Sequence, residues 1–209
     1  MVAWENRAGT LGSLKRCGIA LLIGVAGGAI FLFLFPGGAL STLMHEVLHL
    51  PGPGAGIALV VGPIALLCIL LAASVLGRFG GATLAAVGFS GMCVVVSAVL
   101  TLAGGEKGMF GSPWFIAAIG TCGLLADILL WATKRATAPL RFAVAAAGAN
   151  IGLLLFFWLL IFPRTKGWVL LQDVPVLLAV CLAGGLVAGA LGWILSKRIP
   201  GILFRLSVR

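Results

Sequence analysis

Apolar positions fall in six blocks along this chain, and polar positions are confined to the gaps between them. The blocks run roughly over residues 18–35, 56–77, 81–103, 113–133, 140–162 and 174–196. Each is close to the ~20 residues that a helix, rising ~1.5 Å per residue, needs to cross the hydrocarbon layer of a bilayer. The pattern predicts an all-α, polytopic membrane protein: one transmembrane domain over residues 1–209, with six spans and short links.

The basic residues sort with the threading. With a cytoplasmic N-terminus, Arg7, Lys15, Arg16, Arg78, Lys134, Arg135, Arg141, Lys197, Arg198, Arg205 and Arg209 all fall inside, and only Lys107, Arg164 and Lys166 fall outside. Eleven against three is the bias expected when Lys and Arg stay on the cytoplasmic side, and adding or removing one span scrambles it. The expected protein is multi-pass in the cell (plasma) membrane, with both termini cytoplasmic.

Composition narrows the class further. The chain is 62% hydrophobic and 9% charged, too little charge to cover the surface of a water-soluble domain of this size. The net charge of +9 is explained by loop ends meeting anionic lipid headgroups, so no nucleic-acid partner is expected. Cys17, Cys68, Cys93, Cys122 and Cys181 lie in or at the edges of spans without paired short spacing. They read as buried free thiols rather than as a disulfide frame or zinc knuckle. Lys15 and Arg16 before an apolar run resemble a signal peptide, but the run is long and more spans follow, so it reads as a retained first helix.

The links carry their own local signals. Residues before Gly18 read as a short polar lead. In the long first outer link, Ser41 or Thr42 caps a short helix that Pro51 must end. Ser112 before Pro113, and Asp173 before Val174 and Pro175, read as N-caps, and Pro63 as a kink in the second span. Ala20, Gly24 and Gly28 form a small-residue stripe on the first helix, and Gly185 and Gly189 another on the sixth. Such stripes let helices approach closely in lipid, either within the bundle or against a second membrane protein.

Four groups of residues are candidates for chemistry. His45-Glu46-Val47-Leu48-His49 fits H-E-x-x-H, in which two imidazoles on one helix face bind zinc and the Glu acts as general base. A third ligand would have to be Glu106, Asp127 or Asp173, and none has the N-P-D-G or L-D-G setting of membrane zinc proteases. The favoured expectation is that His45, Glu46 and His49 bond a solute from outside, with no resident cofactor; zinc on His45 and His49 belongs to the protease alternative. Gly88-Phe89-Ser90-Gly91 has the G-x-S-G form of rhomboid proteases, yet no His follows Ser90 to activate it, so these read as packing residues. Asp127 lies within the fourth span and needs a partner, for which Asn150 on the fifth is the best polar candidate. It is either a passive buried carboxyl or a lock on the inner end of the bundle. Finally, the outer links pool His45, Glu46, His49, Glu106, Lys107, Trp114, Arg164, Lys166, Trp168 and Gln172, which read either as an interfacial belt or as the lining and lid of a solute pocket.

With six spans, both termini inside, a long first outer loop and the Ala20–Gly24–Gly28 stripe, the chain resembles the substrate-binding S components of energy-coupling factor (ECF) transporters. The nearest local likeness is Gly123-Leu-Leu-Ala-Asp127 running on to Ala132-Thr133-Lys134, similar to the fourth-helix region of the thiamine or hydroxymethylpyrimidine type. Gly80-Gly81-Ala82-Thr83-Leu84 and Phe110 to Trp114 are similar to that family too. The resemblance implies a passive vitamin-uptake subunit that binds its small-molecule substrate from outside. A transmembrane coupling protein and two ATPases would power release, docking on Ala20, Gly24 and Gly28, and the first, third and fifth links would gate the pocket. The H-E-x-x-H is a departure from the family pattern. A non-catalytic membrane assembly factor, held to a partner through small-residue faces, is the third alternative.

Overall fold

The computed structural model describes residues 2–34, 46, 56–103, 112–161 and 173–198. Every regular element among them is helical. Six helices follow one another: α1 (Val2–Leu34), α2 (Gly62–Leu76), α3 (Gly81–Leu102), α4 (Pro113–Ala132), α5 (Ala138–Phe156) and α6 (Val174–Ser196). A π-helical turn over Ile57–Val61 leads into α2, and a second over Phe157–Ile161 extends α5. Six stretches are long and apolar enough to cross a membrane: Leu14–Phe33, Leu59–Leu76, Gly81–Leu102, Pro113–Ala132, Ala138–Leu160 and Val174–Ser196. The chain is thus built as a multi-pass membrane protein. The short first-loop helix expected before Pro51 lies outside the described residues, apart from Glu46.

Helix boundaries follow local chemistry, with two departures from the sequence reading. The polar lead before Gly18 is helical back to Val2, so α1 is 33 residues long. At ~1.5 Å per residue that is about 50 Å, more than the ~30 Å hydrocarbon layer takes. Pro63 has no N–H to donate, and the turn before it is widened: the Gly62 N–H donates to the Ile57 carbonyl, one residue further back than in an α-helix. The expected kink is therefore realised as a π turn. At the other end of α2, Gly77 (φ 67°) donates its N–H to the Ala73 carbonyl, and Gly80 (φ 98°) starts α3. Both φ values lie in the left-handed region, which glycine enters without a Cβ clash, and this makes the four-residue reversal possible.

The helices surround α2, which packs against α1, α3, α5 and α6, with lesser contact to α4. Sequence neighbours α3–α4, α4–α5 and α5–α6 also pack together, and α1 lies against α3. The interior is rich in alanine, with Ala65, Ala72, Ala82, Ala85, Ala145 and Ala149 fully buried, and Phe31, Phe89, Phe115 and Phe157 fill the larger gaps. Phe31 and Phe89 meet at 5.8 Å between centroids in a tilted pair.

Glycine sets the closest approaches. A Cβ on Gly24 would overlap the Ala85 carbonyl, and one on Gly28 would come 2.7 Å from the Phe89 oxygen. From the facing helix, a Cβ on Gly88 would come 2.5 Å from the Leu21 oxygen. The Ala20–Gly24–Gly28 stripe is consequently occupied by α3, inside this chain. The docking role expected for it is corrected on that ground: the face has no room for a second protein. Gly185 and Gly189 likewise bring α6 onto Ala147 and onto the Phe142–Ala143 backbone of α5.

Positive charge collects at one end. The Arg78 guanidinium donates to Cys17 Sγ at 3.6 Å, which places the start of the α1 span beside the α2–α3 turn. Gly192, near the end of α6, packs on Leu70 and Phe142, which places that end beside the start of α5. Lys15, Arg16, Arg78, Lys134, Arg135, Arg141, Lys197 and Arg198 therefore share one end of the bundle. Of the acidic residues outside the spans, Glu46 and Asp173 sit on links at the opposite end, and Glu5 lies in the N-terminal part of α1.

Gly24→Leu is expected to lower stability by more than ~2 kcal/mol, because overpacking a close helix contact forces the backbones apart. Gly91, whose added Cβ would meet nothing within 4 Å, is the matched control. Equilibrium unfolding in mixed micelles should show Gly91→Leu near the parent and Gly24→Leu well below it.

Candidate functional site

Two places combine buried polar groups with an interruption of regular helix. The first lies toward the end opposite the cations. Asn150 of α5 is fully buried and donates from Nδ2 to the Cys181 carbonyl of α6 at 2.8 Å. Its Oδ1 fits against Gly62 at the start of α2, where a Cβ would overlap it. One side chain thus joins three helices, and Gly62 is the residue that lets it in. Close by, Leu154, Leu177 and Cys181 form a small apolar cluster with Leu59 and Val60 from one π turn and Trp158 from the other packed around it. Each π turn has a proline near it in sequence, Pro63 and Pro163. π turns inside helices occur often at functional sites, because they re-aim side chains and backbone carbonyls.

The second place is Asp127, 3% exposed in the half of α4 toward the cation-rich end. Its carboxyl group reaches the first turn of α3. Oδ1 accepts from the Ala82 N–H at 3.2 Å, and Oδ2 accepts from the Thr83 N–H at 2.9 Å and from Thr83 Oγ1 at 2.7 Å. Those N–H groups have no intrahelical acceptor, and Gly80 at the cap position has no side chain to offer one. A carboxyl from the neighbouring helix therefore caps α3, at the end where the helix dipole favours negative charge. Gly123, one turn earlier on α4, makes the reach possible: a Cβ there would come 2.5 Å from Ala86 Cβ and 2.9 Å from the Ala82 oxygen. The expected pairing of Asp127 with Asn150 is corrected, since each binds a different helix: Asp127 binds α3 and Asn150 binds α6.

The remaining sequence-predicted residues divide between described and undescribed parts. Trp114 stands exposed in the first turn of α4, just after Ser112, whose Oγ accepts from the Phe115 N–H at 3.2 Å as the expected N-cap. Asp173 occupies the cap position of α6, but its side chain makes no capping bond there. Glu46 is exposed in a π-helical position. His45, His49, Lys107 and Trp168 lie outside the described residues. Among the described residues no three His, Cys, Asp or Glu side chains group to hold a metal ion. Ser90 is buried and donates to the Ala86 carbonyl of its own helix at 2.9 Å. All five cysteines are free.

Sequence reasoning missed Thr83, Ala82, Gly62 and Cys181 as members of these networks. A signal for the first pair was present: a capless Gly80-Gly81 helix start with a threonine at the third position, and an intramembrane acid on the next helix. Comparison with protein-family models, with curated proteins and with solved structures gives no match.

Asp127→Ala strands two N–H groups and a hydroxyl away from water, at an expected cost of about 3 kcal/mol. Thr83→Val removes one of the three bonds and is expected to cost about 1 kcal/mol. Unfolding in mixed micelles should rank the parent above Thr83→Val and Thr83→Val above Asp127→Ala; equal stability of the two variants would refute the cap.

Proposed function

We infer that this chain is the membrane-embedded solute-binding subunit of an uptake transporter, of the S-component kind, loading from the outer face and energised by a separate coupling protein with its ATPases. The observation that carries the reading is the meeting of two π turns with the Asn150–Cys181 bond, toward the end of the bundle to which the polar outer links attach. Irregular backbone at membrane depth is tolerated where it is buried in protein or lines a cavity. Discontinuous helices of this kind present carbonyls and helix ends to solutes in membrane transporters. His45, Glu46 and His49 with Lys107, Trp114 and Trp168 supply hydrogen-bonding, charged and aromatic groups from the links, a set suited to a small polar ring compound such as a vitamin.

The charge distribution supports the orientation. Eight cations at one end, with Glu46 and Asp173 as the charged described residues at the other, support a cytoplasmic cation-rich end under the rule that basic loops stay inside. Docking on an energising module uses a surface other than Ala20, Gly24 and Gly28, since α3 fills that stripe.

Two measurements check this reading. Cysteines placed at Arg135 and at Asp173 in a cysteine-free chain should differ toward a membrane-impermeant maleimide on intact cells: Asp173→Cys reacts at once and Arg135→Cys only after the membrane is opened. The reverse pattern inverts the protein and removes the outward pocket. Separately, mass spectrometry of the chain purified in mild detergent should find one bound small molecule. Its affinity should fall about tenfold or more, ~1.4 kcal/mol, in Trp114→Ala and in His49→Ala while the melting temperature holds. A chain that carries zinc lost on His45→Ala, and no organic solute, would be read as a metalloprotein instead.

A further inference from the structure

At the cation-rich end a lysine lies over a tryptophan twice: Lys197 sits 3.8 Å from the centre of the Trp193 ring at the end of α6, and the corner between α4 and α5 repeats the pair and adds a guanidinium from the next helix. Lys134 is held with Nζ 5.1 Å from the centre of the Trp131 ring. Trp131 is 60% exposed and continues an outward stripe through Leu124 and Ile128, spaced four and three residues apart on one helix face. Apolar side chains exposed along a membrane-spanning helix face acyl chains. The Lys134 ammonium therefore stands directly above a lipid-facing stripe, at the depth where headgroups begin. Arg141, from the first turn of α5, donates from Nη2 to the Leu130 carbonyl at 3.1 Å. Leu130 is one turn before Lys134, so two cations share the end of α4, and Arg135 is adjacent and exposed. The Arg141 Nε–H is buried without an acceptor. The bond to Leu130 fixes the Arg141 charge at this corner, where it adds to the positive field that Lys134 and Arg135 present to an anionic headgroup.

We propose that this corner is a binding site for one anionic phospholipid. The headgroup phosphate is held by the exposed Lys134 and Arg135, with the Arg141 charge behind them, and an acyl chain runs along Trp131, Ile128 and Leu124. Both halves of the amphiphile are accounted for: charge at the helix end, and a continuous apolar track below it. Free phosphate would make no use of the track. A nucleic acid would need its cations turned toward water rather than seated over a tryptophan that faces lipid. No acidic side chain is present on the α4–α5 turn to compete for the cations. The corner is independent of the solute reading, since it lies at the opposite end of the bundle from the π turns.

The test adds phosphatidylglycerol, phosphatidylcholine of the same acyl chains, or inorganic phosphate to the full chain in detergent, and reads retained adducts by native mass spectrometry and the shift in melting temperature. Phosphatidylglycerol should bind and raise the melting temperature, and the other two should not. Lys134→Gln with Arg135→Gln, both at exposed positions, should weaken phosphatidylglycerol binding by more than about tenfold, as expected from losing two cations at the membrane surface. Lys15→Gln with Arg16→Gln, at a different corner, should leave it within about twofold. Because Arg141→Ala also removes the brace to α4 and can unfold the corner, Trp131→Leu serves as a further variant and should reduce binding without loss of charge. Equal binding of phosphatidylcholine, equal stabilisation by phosphate, displacement of the lipid by a single-stranded oligonucleotide, or an equal loss in the Lys15/Arg16 pair would each overturn the assignment.

Discussion

In a bilayer there is no water to satisfy a stranded backbone group, and every part of this structure answers to that constraint. Helices satisfy their own middles but not their ends. The ends here are closed by different means. Ser112 caps α4 with its own hydroxyl. Gly77 closes α2 by turning left-handed. The start of α3 can do neither, and it borrows Asp127 from the neighbouring helix. A local deficit in hydrogen bonding thereby becomes a tertiary bond, tying the cation-end half of α4 to the first turn of α3.

Lipid also removes the hydrophobic drive that packs helices in water, so association depends on closeness. Alanine and glycine supply it. The α1–α3 contact has glycines on both sides, Gly24 and Gly28 facing Gly88, and the α5–α6 contact is made by Gly185 and Gly189. Two buried polar side chains enter where such closeness leaves a matching gap: Gly62 admits Asn150, and Gly123 admits the reach of Asp127. The small residues and the buried polar ones are thus one design, in which each carboxyl or amide is sited by a glycine.

Much of the fold was legible because its physics is one-dimensional. Span length can be counted along a chain, and the six helices long and apolar enough to cross a membrane agree with that count. What failed to read were pairings in space. Asp127 was matched to Asn150 by polarity, but the partner was set by an unsatisfied helix start, whose donors are backbone groups that no residue type announces. The glycine stripe on α1 was legible as a contact surface and not as to which helix it meets. Pro63 was legible as a disturbance, while its form, a π turn, depended on the Gly62 N–H reaching back to Ile57. The expected solute site is a matter of residue types alone, and His45, His49, Lys107 and Trp168 of it lie outside the described residues.

The position of α2 has a consequence for biogenesis. It is the second span to leave the ribosome, yet two of its neighbours, α5 and α6, are the last. Until they arrive, α1 to α4 can close only one flank of it, and the Gly62 notch waits for an amide some ninety residues downstream. Nascent chains halted before α5 should therefore be the form most exposed to quality-control proteases and to insertase-bound holding factors, and completion of the sixth span should be the step that commits the molecule to its final shape.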